Sequence, residues 1–109
     1  MRAFTEERVT ILFEYDLPDD INIAGSIAID TETMGLKPKR DRLCLVQLAT
    51  TDDRIYLVQF KNKFNAPNLC RVLADPSICK IFHYARFDMA TLFHHLGIMP
   101  VVPSIIGPA

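Results

Sequence analysis

The sequence predicts an α/β domain. Its mixed sheet is an antiparallel three-strand meander plus one parallel strand, with helices packed against it. Three observations carry the prediction. Between residues 27 and 58, three strand-like runs follow one another through tight connections, the pattern of a meander. After residue 65 the apolar spacing changes to i, i+3, i+4, the period of a helix, and one short apolar run separates two such stretches. The chain has 109 residues, 50% hydrophobic and 23% charged, which suits one globular domain over 1–109 with a modest core.

The elements follow in order. Val9 to Tyr15 alternates weakly, with Val9, Ile11, Phe13 and Tyr15 on one side, and reads as a short strand; Leu17-Pro18-Asp19-Asp20 breaks it. Ile27 to Glu32, within the stretch Ser26–Thr33 bounded by Gly25 and Gly35, is the next strand. Its period of two puts Ala28, Asp30 and Glu32 on one face and Ile27, Ile29 and Thr31 on the other. Residues 34–42 form a turn-rich connection holding four of the twelve Lys and Arg residues. It is either a solvated loop or a small basic lip suited to a phosphate backbone. Leu43 to Thr50 (LCLVQLAT) is apolar on both sides except at Gln47, so it belongs in mid-sheet, buried on both faces. Thr51-Asp52-Asp53 turns the chain into Arg54–Val58, closing a hairpin.

Asn65 is placed to cap a helix with Pro67 in its first turn and Leu69, Val72 and Leu73 on its apolar face; Asp75-Pro76 ends it. Lys80–His83 is then a short strand reached by crossover, and so parallel to a neighbour. Arg86–Leu96 is a second helix with Met89, Leu92, Phe93 and Leu96 on its apolar face and Gly97 as its stop. Residues 98–109 hold three prolines and no charge, and read as an irregular tail.

The formal net charge of −1 argues against strong nucleic-acid binding through bulk charge, but not against a substrate held by a metal and a local patch. Cys44, Cys70 and Cys79 are odd in number and lack Cys-x-x-Cys spacing, so they are expected to be buried reduced thiols. No apolar stretch is long enough to span a membrane. The N-terminus carries Glu6 and Glu7 and no signal-peptide core, making the cytoplasm the expected location.

The candidate chemistry lies in the carboxylates. Asp30 and Glu32 are like charges side by side at the end of an apolar strand, and a divalent metal would compensate them, since hard oxygen donors suit Mg or Mn. A polar, solvated strand end is the plainer reading. Asp88 falls in the first turn of the second helix, where an acid is stabilised by the helix dipole and needs no metal. Strand-to-helix junctions are also where α/β folds place their sites. If the parallel strand lies beside the Asp30 strand, three carboxylates converge on one or two cations, a set suited to phosphodiester hydrolysis with metals about 3.5–4 Å apart. His94 and His95, adjacent on a helix, read as a solvated pair rather than zinc ligands. His83 is placed either to touch a substrate or to serve the core or a cap.

With these residues in hand, the chain resembles the N-terminal part of a ribonuclease D-type 3′-5′ exonuclease of the DEDD superfamily. Asp30-Thr31-Glu32-Thr33 is similar to that family's first motif and HYARFDMATL (83–92) to its second, in the same order of elements from about Ile23 to Gly97. The resemblance implies a ribonuclease H-like fold, a two-metal Mg or Mn site with Asp30, Glu32 and Asp88 as catalytic ligands, and removal of nucleotides from the 3′ end of single-stranded nucleic acid, with RNA and RNA processing favoured over DNA. It further implies that Thr33, Met34, Gly35 and Leu36, together with His83 and Phe87, lie near the terminal nucleotide. A third family motif, which places a Tyr or His four residues before a final Asp, has no counterpart here. The change of texture after Pro100 leads us to expect a truncated or frame-shifted end and a C-terminally incomplete fold. Catalysis by this chain is therefore in doubt. The alternative is a non-catalytic nucleic-acid- or protein-binding remnant, associating with itself through uncovered apolar surface.

Overall fold

A computed structural model describes residues 9–101. Five strands and two helices follow one another along them: β1 (Val9–Glu14), β2 (Ser26–Thr33), β3 (Leu43–Thr50), β4 (Arg54–Gln59), α1 (Pro67–Ala74), β5 (Cys79–Phe82) and α2 (Ala85–Leu96). The sheet order is β1-β4-β3-β2-β5. β2, β3 and β4 form the expected antiparallel meander. β5 pairs in parallel with β2, from Ser26 opposite Cys79 to Ile29 opposite Phe82. β1 closes the other edge in parallel with β4.

The registers align side chains into rows across the sheet. On the inner face, Ile11, Tyr56, Leu48, Ile29 and Phe82 make one row, and Phe13, Val58, Val46 and Thr31 the next. Leu69, Val72 and Leu73 of α1 and Leu92 of α2 belong to the same buried cluster. On the outer face, Leu12, Leu57, Gln47 and Asp30 make one row and Glu14, Gln59, Leu45 and Glu32 another. Among the described residues this second face stays half open, with Leu12 57% exposed. β3 was expected to be buried on both faces. Only Leu43, Val46 and Leu48 are buried, while Leu45, Gln47 and Ala49 are half-buried, because both described helices contribute their buried residues to the inner cluster.

Several boundaries move for local reasons. Tyr15 takes a left-handed backbone (φ 70°), so β1 ends at Glu14. β5 starts at Cys79 and stops at Phe82, leaving His83 outside the strand, and α2 begins at Ala85. Gly97 closes α2 in the left-handed conformation (φ 69°), its N–H reaching the Phe93 carbonyl at 2.9 Å, as its lack of a Cβ permits. Asn65 does not cap α1. The residue at the cap is Ala66, without a side-chain hydrogen bond. Asp16 does the work from the far side of the chain, its carboxylate accepting from the Asn68 N–H at 3.0 Å and the Leu69 N–H at 2.8 Å, two donors a helix start leaves open.

At the other end of α1, Lys80 is fully buried. Its ammonium donates to the carbonyl of Asp75, the residue after the helix. Burial pushes the Lys80 pKa down, against the pull of Asp75.

The apolar face of α2 is also rotated from the expected one. Its buried residues are Ala85, Asp88, Thr91 and Leu92, whereas Phe93 is 54% exposed; Met89 and Leu96 pack at the core's margin. A polar stripe of Asp88, Thr91 and His95 therefore faces inward. His95 accepts the Leu43 N–H at 3.4 Å and its ring lies 5.1 Å from that of Phe64, so His94 and His95 are not a solvated pair. Among the described residues the three cysteines form no disulfide, and each is half-buried rather than fully buried. Residues 98–101 form no helix or strand. The rest of the expected irregular tail, 102–109, and the first eight residues lie outside the described part. No helix among the described residues is long and apolar enough to cross a membrane.

Candidate functional site

The carboxyl ends of the parallel strands β2 and β5 lie side by side, with the start of α2 directly after β5. In sheets of this kind the carboxyl ends of strands are the usual place for a site. β2 carries Asp30 and Glu32 outward, both exposed, and Thr31 between them inward. α2 brings Asp88 to that inward residue: the Thr31 hydroxyl donates to Asp88 Oδ1 at 2.6 Å. The second oxygen, Oδ2, is buried and has no hydrogen-bond partner. Burial pushes the Asp88 carboxyl above the ordinary carboxylate range. The Thr31 hydroxyl opposes that shift, nearby Asp30 adds to it, and His83 and the Thr31 backbone counter it. So Asp30 and His83 both lie within electrostatic reach of Asp88. Among the described residues, no group of three or more His, Cys, Asp or Glu side chains is gathered closely enough to hold a metal ion.

The donor chemistry fits a hard divalent cation. Asp30 and Glu32 offer exposed carboxylate oxygens, and the unpartnered Oδ2 of Asp88 is a buried acceptor that a cation or a proton would satisfy.

The loop after β2 is built tightly. The Thr33 hydroxyl donates to the Gly35 carbonyl, and the Met34 N–H donates to the Arg42 carbonyl at 2.9 Å. A Cβ at Gly35 would collide with the Asp41 carboxylate, so a glycine is needed for that approach. Asp41 accepts from the Lys37 N–H at 2.9 Å and pairs with Arg40 at 3.0 Å; Arg42 donates to the Phe60 carbonyl at 2.6 Å. Two of the four cations of the expected basic lip thus hold the loop together, leaving Lys37 and Lys39 to face solvent. Met34 and Leu36 are 68% and 87% exposed. Across the junction, His83 and Tyr84 are exposed, their rings edge to face at 4.4 Å, and Phe87 is half-buried. Sequence reasoning missed Thr31, whose position between two acids gave no sign of its bond to Asp88. It also missed the Asp16 cap, which lies 52 residues from its donor at Asn68.

Comparison with known proteins agrees with this geometry. A family model described as 3′-5′ exonuclease matches residues 10–103. Ribonuclease D of Bartonella henselae is 30% identical over 74 residues, 68% of this chain and 18% of that protein. The structure of Brucella melitensis NrnC bound to pGG superposes with a TM-score of 0.79 at 41% identity, covering 93% of this chain and 50% of that one; NrnC has also been solved with bound Mg2+. Escherichia coli RNase D, an exoribonuclease involved in structured RNA processing, gives a TM-score of 0.58 at 26% identity over 75% of this chain and 21% of that one. The chain therefore spans about half the length of NrnC and about a fifth of the ribonucleases D. The mixed five-strand sheet is that of the ribonuclease H-like exonuclease fold, and the chain belongs to the 3′-5′ exonuclease family.

Proposed function

We propose that this chain is the part of a metal-dependent 3′-5′ exonuclease domain that holds the 3′ end of single-stranded nucleic acid, RNA in preference to DNA. The observation that carries the reading is the meeting of α2 with β2 at Asp88 and Thr31, which brings a buried, half-satisfied carboxylate to the Asp30–Glu32 strand. Asp30, Glu32 and Asp88 would hold Mg2+ or Mn2+. When bound, a divalent ion there supplies charge neutralisation at the scissile phosphate and activation of the attacking water.

The remaining steps belong to the chain's own residues. Thr31 fixes one oxygen of Asp88 so that the other is presented in one direction. The Thr33–Gly35 turn, pinned by Arg42 and Asp41, holds Met34 and Leu36 out as an apolar ledge for the terminal nucleotide. His83, between β5 and α2, and Phe87, in the first turn of α2, would border the terminal nucleotide from the other side. The expected location is the cytoplasm, and the domain is expected to be single over 1–109.

The test is hydrolysis of a 5′-labelled single-stranded RNA, with a DNA of the same sequence beside it, by the purified chain in Mg2+ or Mn2+. Asp30→Asn and Asp88→Asn are run in parallel. A ladder shortening from the 3′ end with wild type alone supports the reading. Turnover no greater than that of the variants sinks catalysis by this chain.

A second reading rests on the half-open outer face, where Leu12, Leu45, Ile55 and Leu57 are incompletely covered among the described residues. On it, the chain binds nucleic acid or a second copy of itself without hydrolysis. Binding without turnover in the same assay favours that reading.

A further inference from the structure

The strand directions sort the charged loops of this fold to two ends of the sheet. β2 and β4 both run antiparallel to β3, and β5 runs parallel to β2, so all three finish at the end that carries Asp30 and Glu32. The loop after β4 brings Lys61 and Lys63 to that end, both exposed and neither paired with an acid among the described residues. The turns at the opposite end, leading into β4 and β5, hold Asp52, Asp53 and Asp75, with Arg54 beside them. At the lysine end, outside the candidate site, Asp41 is paired with Arg40 and Asp16 is taken up by the start of α1; Glu14 stands one strand further out, at the end of β1. The lysine loop is braced on both sides. Arg42 donates to the Phe60 carbonyl at 2.6 Å, the Phe60 N–H donates to the Cys44 carbonyl at 2.8 Å, and the Tyr15 hydroxyl donates to Asn62 Oδ1, between the two lysines, at 3.0 Å.

The row Glu32, Leu45, Gln59 crosses from β2 to β4, two strand spacings or about 10 Å. Lys61 follows two residues after Gln59, so a strand leaving the carboxylates over β3 meets the lysines a few nucleotides on. Exposed cations on a braced loop suit phosphates, which need charge and position but carry no base information. A cationic end opposed to an acidic one also orients a polyanion toward the lysines. We infer that Lys61 and Lys63 hold phosphates of the strand on the 5′ side of the nucleotides at the carboxylates, so that a single strand crosses the end of the sheet from β2 over β3 to β4. The inference deepens the exonuclease reading and rests on it for the place of the 3′ end. The competing exit runs over the start of α2, where Arg86 is exposed; it offers one cation in the same turn as Asp88, against two on the β4 side.

The experiment measures fluorescence anisotropy of 5′-labelled RNA oligomers of two, four, six and eight nucleotides, bound by the full chain in EDTA so that nothing is cleaved. Wild type should bind the longer oligomers more tightly than the dinucleotide. Lys61→Ala with Lys63→Ala should abolish that gain and leave the dinucleotide affinity unchanged, while Lys61→Arg with Lys63→Arg, which keeps the charges, retains it. For the octamer, two lost phosphate contacts flatten the slope of log K against log salt by about 1.4, so between 50 and 200 mM salt wild type should lose about 7-fold more affinity than the double alanine variant. Arg86→Ala should keep the length dependence. Affinity independent of length, a gain with length that survives the double alanine change, or a gain that Arg86→Ala removes overturns the β4 route while leaving the exonuclease reading intact. An equal loss for the dinucleotide and the octamer places the lysines at the terminal nucleotides and overturns it too. No binding at any length by wild type overturns both.

Discussion

The two faces of this sheet are made by the same strands and differ in nearly everything else. On the inner face, Leu48, Val46, Val58 and Ile29 are sealed beneath two helices. On the outer face their immediate chain neighbours Ala49, Gln47, Leu57 and Asp30 remain half-buried or exposed. Alternation along a strand thus separates two tasks within single elements: one residue is committed to stability and the next is free for chemistry. Thr31 is the exception that joins them. It points inward, yet it grips the one acid that α2 contributes.

The largest expected difference between the faces is in packing. Leu48→Ala opens a cavity in a sealed region and should cost about 3 kcal/mol or more. Leu57→Ala, one row away on the open face, should cost less than half as much, as measured by urea unfolding. Equal costs would mean that the outer face is covered in solution. Next comes Asp16→Ala, which leaves two helix-start donors unmet and should cost about 1–2 kcal/mol, read as a lower denaturation midpoint. Asn65→Ala should change little, since that residue takes no part in the cap.

The smallest effect has the opposite sign. Burial and Asp30 raise the Asp88 carboxyl's pKa above its unfolded value, so folding favours the protonated form. The associated stability is present below the unfolded carboxylate pKa and is lost as pH rises through the raised folded one. In metal-free buffer near neutral pH, Asp88→Asn should therefore raise Tm by a few degrees, because the amide oxygen can still accept from Thr31. The exposed Asp30→Asn should leave Tm nearly unchanged. Added Mn2+ should stabilise wild type and neither variant; a Tm for Asp88→Asn below that of wild type in EDTA would contradict the sign.

Much of this was legible in the residues. The meander, the parallel crossover to β5 and the position of the acids at a strand end all follow from period, turn residues and chain order, which are local signals. What escaped depends on distance. The cap of α1 comes from Asp16 because β1 arrives beside β4 and brings the loop after it to the helix start, and nothing near Asn65 announces this. The buried face of α2 was misplaced because period alone scores Phe93 as core and Asp88, Thr91 and His95 as solvent-facing. The polar stripe is buried because each member finds a partner on the sheet or within the helix: Thr31 for Asp88, the Leu43 N–H for His95, and the Thr91 carbonyl 3.0 Å from the His95 ring. The expected convergence of Asp30, Glu32 and Asp88 on one metal site is not seen among the described residues. Asp88 meets Thr31 there rather than the two acids.

The Asp16 cap also sets an order of events in folding. An eight-residue helix is too short to persist alone in water, and half of what starts this one lies at the opposite end of the chain. α1 cannot become stable until β1 has docked on β4, a parallel pairing closed over a long loop, so the helix should consolidate late and slowly. Once it has formed, Lys80 clasps its far end from β5. The helix is therefore held at its two ends by strands from opposite edges of the sheet, and loosening either edge releases it.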